Sequence, residues 1–475
     1  MSTLLTKSPR RCNSVLAVTA AIGVCALTLQ SSAAVAAVYY VDGTNGNDSN
    51  SGLTVSEAFE TIARVNAQTL SPGDAVLFRR GDSFPETLEL DSDGTESNRI
   101  LVSAWGSGDR PLVYGVNLRS TYITIDDIDI DHRKDDSDAV RLRDAKNCIL
   151  RNMEIRNGTR DAIDVNGSDS LLVEDVEIHH FLNGSYGSKD DAHGLAITDT
   201  RGVTIRRANI HHVSGDSVQT DPNRVNGSIS DDILIEDSHL WTSPLANDFN
   251  SGWVAGNSPG ENALDTKVVR TGFETEIRMR ISLRNIVSHG WTAESELPRR
   301  AAFNLKEKID ANLDRITVYD SEVAFRVRGG FGNANTSIMN AVVYSVDTAV
   351  RAEDDVADLR IFNSTFGRDI GTKLEVVNGT SAQGSWDIRN NAFLQSKPQQ
   401  ASQVTNIVAT ESDFVSPEAR DYRLTAGASV INTGETIPEV VADRDGQTRI
   451  APYDSGAYEF QSNLLKPMPP VLEAQ

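Results

Sequence analysis

The chain has 475 residues and carries 45 Lys and Arg against 67 Asp and Glu, a formal net charge of −22. A surface this acidic disfavours nucleic acid and anionic membranes as partners, and an anionic substrate would need a local basic patch or a bound cation. With three cysteines in all, two of them in the leader described next, no disulfide can form in the mature protein, so stability must come from a continuous core.

At the start, Lys7, Arg10 and Arg11 precede an apolar run from Val15 to Leu29 and the small residues Ala33-Ala34-Val35-Ala36-Ala37. That order reads as a cleavable secretory signal over residues 1–37, so the mature protein is expected to be secreted, extracellular or periplasmic. Its removal takes away three positive charges and no acids, and the net charge becomes −25. Cys12 and Cys25 leave with it; Cys148 remains alone and reads as a small buried core residue. No other segment approaches the ~20 apolar residues that span a membrane.

Residues 38–122 read as an N-terminal cap with the first strands. Y-Y-V-D-G-T-N-G-N-D-S-N-S-G is a strand followed by a turn, and Ser56 to Gln68 has helical spacing with Ser56 as N-cap. Short strands follow at Ala75 to Arg79 and Ile100 to Ala104. A cap is needed because the end of a coil stack exposes core and strand edges.

From Ile123 to about residue 410 the chain repeats. The alternating runs A-V-R-L-R, A-I-D-V, G-L-A-I-T, S-V-Q-T, A-L-D-T-K-V, A-F-N-L-K, A-F-R-V-R and A-V-R-A-E align Val140, Ile163, Leu195, Val218, Leu264, Phe303, Phe325 and Val350, at steps of 22 to 46 residues. A short coil of about 23 residues with two or three strands and no crossover helix predicts an all-β parallel β-helix, with coils stacked at about 4.8 Å. Insertions at about 223–261 and 285–300 flank the coil that carries Lys267 and hold Trp241, Trp253 and Trp291. A tryptophan there, Trp253 first, is expected to stack on a sugar face or to pack its loop onto the barrel.

Residues 411–475 read as a closing segment. Their D-F-V-S-P-E-A-R-D-Y-R-L-T and D-R-D-G-Q-T-R stretches, with the opening Y-Y-V-D-G-T-N-G-N-D-S-N-S-G, resemble secreted right-handed parallel β-helix proteins of the pectate-lyase-like superfamily. The resemblance covers nearly the whole mature chain and implies the fold, not the activity.

Period-2 alternation turns Leu264, Thr266 and Val268 inward and Asp265 and Lys267 outward, followed by Asn304 and Lys306, then Arg326 and Arg328. Beside this basic row stand Asp190, Asp191, His193, Asp216, Gln219 and Asp221, oxygen-rich residues of the kind that hold calcium. Acids next to a lysine suit β-elimination of a uronate polysaccharide, where a base removes the proton beside a carboxylate and the developing charge is stabilised by a metal or basic groups. The lysine must act as neutral amine, so its pKa is expected to fall below about 10.4 under the influence of Lys306, Arg326, Arg328 and calcium, with Asp265 pulling the other way unless spent on the metal.

D-D-A-H-G, S-G-D-S-V-Q and E-N-A-L-D-T-K resemble three successive coils of family nine pectate lyases. That resemblance implies Asp191 and Asp216 as calcium ligands and Lys267 as base, with His193, Gly215 and Gln219 where further aspartates are expected. E-N-A-L-D-T-K and A-F-R-V-R-G-G are also similar to segments of family six lyases, of the alginate and chondroitin type. On that pattern Lys306 and Arg328 form the catalytic pair, with Glu261 and Asp265 near the metal.

The reading is therefore a monomeric polysaccharide lyase acting on an acidic polysaccharide. Lys267, Lys306 and Arg328 are the catalytic candidates, His193, Asn304, Arg326 and Trp253 bind substrate, and Asp190, Asp191, Asp216 and Asp265 hold calcium. Two alternatives stand: a glycoside hydrolase using paired carboxylates such as Asp191 and Asp216, and a non-catalytic carbohydrate-binding surface protein. On bland readings, Asp190, Asp191 and Asp216 cap turns, Lys306 belongs to a solvated ladder, Arg326 and Arg328 pair with Glu322 and Glu353, and the pairs His179-His180 and His211-His212 are surface or turn-packing residues.

Overall fold

The computed structural model describes residues 36–460, apart from 134, 189, 224, 226, 268–276, 293–299, 307 and 380–385. The expected leader, except its last two residues, and Val268 lie outside the described residues. No described helix is long and apolar enough to cross a membrane.

The alternating runs become the strands Val140–Arg143, Ile163–Asn166, Leu195–Thr198, Val218–Asp221, Leu264–Thr266, Ala301–Leu305, Ser321–Arg328 and Val346–Glu353. Each pairs in parallel with the next, and Val140, Ile163, Leu195, Val218, Leu264, Phe303, Phe325 and Val350 stand opposite one another along the stack. The alignment expected from alternation thus holds residue for residue. All eight side chains are fully buried, because a one-residue slip would turn each of them to solvent. Phe303 and Phe325 stack inside the barrel with centroids 5.6 Å apart.

Second and third strand layers complete each coil, and the corners between them are turned by left-handed residues. Asn152, Asp175, Arg207 and Asp237 repeat this conformation on successive coils; the short polar side chains of Asn and Asp tolerate it at small cost, and Arg207 adopts it as the exception. Cys148 is buried in the core, its thiol donating to the Ser120 and Lys146 carbonyls.

The strands expected within 38–122 are present, at Ala75–Arg79 and Ile100–Trp105, and they join the stack. Val38–Val41 pairs with Ala75–Arg79, that strand with Ile100–Trp105, and that in turn with Ile123–Asp126, all in parallel. These are the first coils, hidden from a periodicity search because they lack the repeated alternating run. The expected helix shrinks to Ile62–Asn66, capped by Thr61, whose hydroxyl accepts from the Arg64 amide at 3.1 Å. Ser56 lies instead in a 3-10 turn, Val55–Glu57.

The tail packs along the side of the last coils. Tyr422, Phe414 and Val430 join Tyr319, Tyr344 and Leu394 in one apolar cluster. Arg449 is buried and donates to Asn340 Oδ1 at 2.8 Å and to the Gly456 carbonyl at 2.9 Å.

The histidine pairs pack at a turn, the second of the two readings expected for them. His179 stacks on His211 (5.1 Å between centroids), His211 on Trp241 (4.5 Å), Trp241 on His289 (5.4 Å) and His289 on Tyr319 (4.6 Å). Stacked coils bring identical positions to strand spacing, so rings at one position form a continuous column.

Candidate active site

The site begins at the turn Ser214-Gly215-Asp216, which feeds the strand Val218–Asp221. Gly215 is needed there: a Cβ at that position would meet the His193 ring at 2.4 Å. His193 can therefore lie flat against the turn, and its Nδ1 accepts the Asp216 backbone N–H at 2.9 Å. Asp216 itself has no exposed surface. Its Oδ1 accepts from Asn262 Nδ2 at 2.7 Å, and Asn262 is fixed in turn because its Oδ1 accepts the Ala301 N–H at 3.1 Å. Among the described residues, Asp216 Oδ2 has no hydrogen-bond partner.

One coil on, Asp265 stands in register between Gln219 and Asn304 on the outward ladder. It is buried, and its Oδ2 is shared by two amines, Lys306 Nζ at 2.6 Å and Lys267 Nζ at 3.3 Å. Asp265 Oδ1, Gln219 Oε1 and Asn304 Oδ1 are buried without a partner among the described residues. Asp265, expected at the metal, is thus placed between the lysines. Lys306 is no ordinary solvated ladder residue: it is the more tightly bound of the two amines.

The guanidinium groups lie beyond and are occupied. Arg326 pairs with Glu353 at 2.8 Å; Arg328 reaches Asp354 at 3.0 Å and Glu353 at 3.7 Å. Glu322, the other expected partner, accepts the Arg300 N–H at 2.7 Å instead. Three further placements depart from expectation. Trp253 is buried with Leu182, Leu245 and Phe249, and its Nε1 donates to the Asn183 carbonyl at 2.7 Å, so it anchors its insertion and offers no face to a sugar. His193 is buried and its Nδ1 is used inside the turn, which makes it a positioning residue. Asp190 is exposed, whereas Asp191 is half-buried on the site side.

Burial and the neighbouring Asp265 charge push Asp216 up to about 8, against the opposing pull of Lys267, Asn262 and Lys306. Burial, then Asp216 and Asp191, push Glu261 up to about 7. Burial alone would lower Lys267, but Asp265, Asp216 and Glu261 outweigh it and hold the ammonium above the usual lysine range. The expected depression of Lys267 by neighbouring cations is therefore reversed: the acids are nearer than the guanidinium groups, and Coulomb energy falls with distance.

Glu261 and Asn262 complete the site. The family six resemblance alone points to Glu261, and no motif in the sequence singles out Asn262. The signal was positional: Asn262 takes the coil position that Asp216 occupies one coil earlier, its carbonyl accepting the Ser217 N–H at 2.9 Å.

Among the described residues, no group of three or more His, Cys, Asp or Glu stands ready to hold a metal ion. The donors that are present still suit a hard cation. Asp216 Oδ2 and the amide oxygens of Gln219 and Asn304 are buried acceptors without donors, and calcium takes carboxylate and amide oxygens alike.

These coils form a right-handed parallel β-helix. A family model described as "Right handed beta helix region" matches residues 114–242. Pectate lyase Pel9A superposes over 89% of this chain and 96% of its own, with a TM-score of 0.51 at 16% identity. XylC in complex with xylose covers 89% and 98% with a TM-score of 0.50 at 8% identity. At these identities the likeness is one of fold. No curated protein matches the sequence.

Proposed function

We propose that the protein is a secreted polysaccharide lyase that cleaves a uronate-containing polysaccharide by β-elimination, with Lys267 as the base. The observation that carries this is the sharing of one buried carboxylate oxygen, Asp265 Oδ2, by two amines, beside a second buried carboxylate, Asp216, whose Oδ2 has no donor among the described residues. Acids and amines on adjacent coils are what elimination beside a carboxylate requires.

The two lysines divide the work. Lys306 is closer to Asp265 and more buried (14% of its side chain exposed), whereas Lys267 is held more loosely and is 29% exposed. Lys306 neutralises Asp265 and so weakens its hold on the Lys267 proton. Lys267 takes the proton beside the uronate carboxylate; the electron pair left on carbon forms a double bond to the neighbouring carbon as the glycosidic oxygen leaves and picks up a proton. Asp216, with the amide oxygens of Gln219 and Asn304, would hold calcium, which when bound would supply positive charge for the enolate-like carboxylate. Arg326 and Arg328, tied to Glu353 and Asp354, border the site with positive charge without clamping substrate directly. The fold that a pectate lyase also uses fits this reading and does not establish it.

A panel of pectate, alginate, glucuronan and glycosaminoglycans tests it, read by the absorbance of unsaturated uronate with and without chelator. The expected result is product from one polymer, lost with chelator and in Lys267→Ala. Product that survives the substitution moves the base to Lys306 or elsewhere. A second reading has its own observation: Asp216 at about 8 and Glu261 at about 7 keep protons near neutral pH, as the acid of a glycoside hydrolase must. It predicts new reducing ends without unsaturated product.

A further inference from the structure

The insertion between Trp241 and Leu264 builds a second concave feature, away from the amines. It is closed on itself: the Leu245 amide donates to Asn257 O, Gly256 to Leu245 O and Phe249 to Trp253 O, each at 2.8 Å. Leu245, Phe249 and Trp253 pack on Leu182, and Trp253 is tied to the Asn183 carbonyl. A loop pinned in this way is a preformed wall.

Between that wall and the coils lies a cavity of about 430 Å³ lined by Arg133, Asn157, His180, Asn247, Asp248 and Phe249. The lining from the coils comes from consecutive turns of the stack. Asp131 pairs in register with Arg156, and Arg156 with His179, which places Asn157 beside His180. Both are left-handed corner residues, with φ of 64° and 57°.

The charges there are unequally engaged. Asp131 accepts from the Arg133 N–H at 3.1 Å and from Asn157 Nδ2 at 3.2 Å, and meets Arg156 at 3.4 Å. Asp248 Oδ1 accepts the Ala255 N–H at 2.9 Å. Asp131 is thus taken up within the protein, whereas Asp248 is exposed and keeps its charge. Arg133 is exposed, donates to Ser83 Oγ at 3.2 Å, and makes no ion pair with a carboxylate among the described residues. In a chain of net charge −22 that is a local exception. A guanidinium beside amide groups and the Phe249 edge offers a carboxylate partner, hydroxyl partners and an apolar contact, the three needs of a uronic acid ring. The Asn157 and His180 coils precede the Asp216 coil by two and one steps of the stack, on the order of 10 Å and 5 Å at the usual strand spacing. Offsets of that size along the stack axis are within the length of one polysaccharide chain.

We propose that this cavity is a remote subsite for a uronate residue of the polymer cleaved at Lys267, with Arg133 binding its carboxylate. The substrate class rests on the function proposed above. The test is the dependence of KM on substrate length, measured with uronate oligosaccharides from dimer to hexamer and with the polymer. In the native protein KM falls with length. Arg133→Ala flattens that dependence and raises KM for the longest substrates about tenfold, the effect of losing one charge-assisted pair, while Arg133→Lys restores part of it. Identical length dependence in the native protein and Arg133→Ala overturns the subsite and leaves the lyase intact. Absence of unsaturated product from every uronate polymer with the native protein overturns both.

Discussion

At the scale of single residues, the site is defined by acids that are buried and only partly satisfied. Asp216 is held by Asn262 on one oxygen, by His193 through its own amide, and by nothing described on the other oxygen. Burial and Asp265 keep its proton on up to about pH 8. The unfolded chain gives that proton up near the ordinary aspartate value, so between those points the folded state binds more protons and stability falls as pH rises. Asp216→Asn is accordingly expected to raise the melting temperature at pH 8 without added calcium while abolishing lyase activity; a lower melting temperature than native would mean that the carboxylate is not under strain. Lys267 is held above the lysine range, first against burial and then by Asp265, Asp216 and Glu261. The neutral amine that acts as base therefore grows with pH well into the alkaline range. Glu261→Gln removes one of the charges that retain the proton and should move the rise of kcat toward lower pH. A profile that stays put, or moves upward, would exclude Lys267 as the titrating base.

At the scale of elements, the ring column that runs from His179 through Trp241 to Tyr319, with His212 and His239 packed against Trp241, is a second pH-dependent feature. Burial, then the neighbouring histidines, drive His212 down to about 3; burial and His289 do the same to His239, and burial with Arg420 takes His289 to about 4. These rings are neutral when folded and would charge near their ordinary value when unfolded. Their contribution is present above about pH 6.5, where both states are neutral, and is lost as pH falls toward 4 and 3. Thermal unfolding between pH 7 and pH 4 should show a steep fall, and His289→Phe, which keeps the stack between Trp241 and Tyr319, should shallow it. Equal slopes would place the acid-sensitive groups elsewhere. The inner column is simpler: Phe303 and Phe325 are fully buried and stacked, so Phe303→Ala should cost about 3–5 kcal/mol in denaturant unfolding.

At the scale of the whole molecule, a coil stack converts sequence alternation into position along an axis, and this decides what can be read in advance. Val140 to Val350 align because each coil repeats a run in which inward apolar residues alternate with polar ones, and a parallel ladder then puts Asp265 and Lys267 on one face. The first coils escape that reading: Ser83–Leu90 and Leu112–Leu118 pair in parallel but carry a register shift between Phe84 and Thr87 and no repeated motif. Side-chain roles follow from neighbours the alternation does not reveal. Trp253 reads as a surface aromatic until its loop closes on Leu182 and Asn183. The direction of the Lys267 shift depends on which charges lie nearest, and Asp265, Asp216 and Glu261 are brought to it from two successive coils. Asn262, essential to the pose of Asp216, is an unremarkable amide until the coil position it shares with that aspartate is known.

The most direct measurement of the central claim is the formation of unsaturated uronate from acidic polysaccharides by the native protein and by Lys267→Ala at alkaline pH. Loss of a general base is expected to cost a factor of about 10²–10⁴ in rate, with the fold retained by circular dichroism and Lys306→Ala less impaired than Lys267→Ala. Full activity in Lys267→Ala, or new reducing ends without any unsaturated product from the native protein, would contradict it.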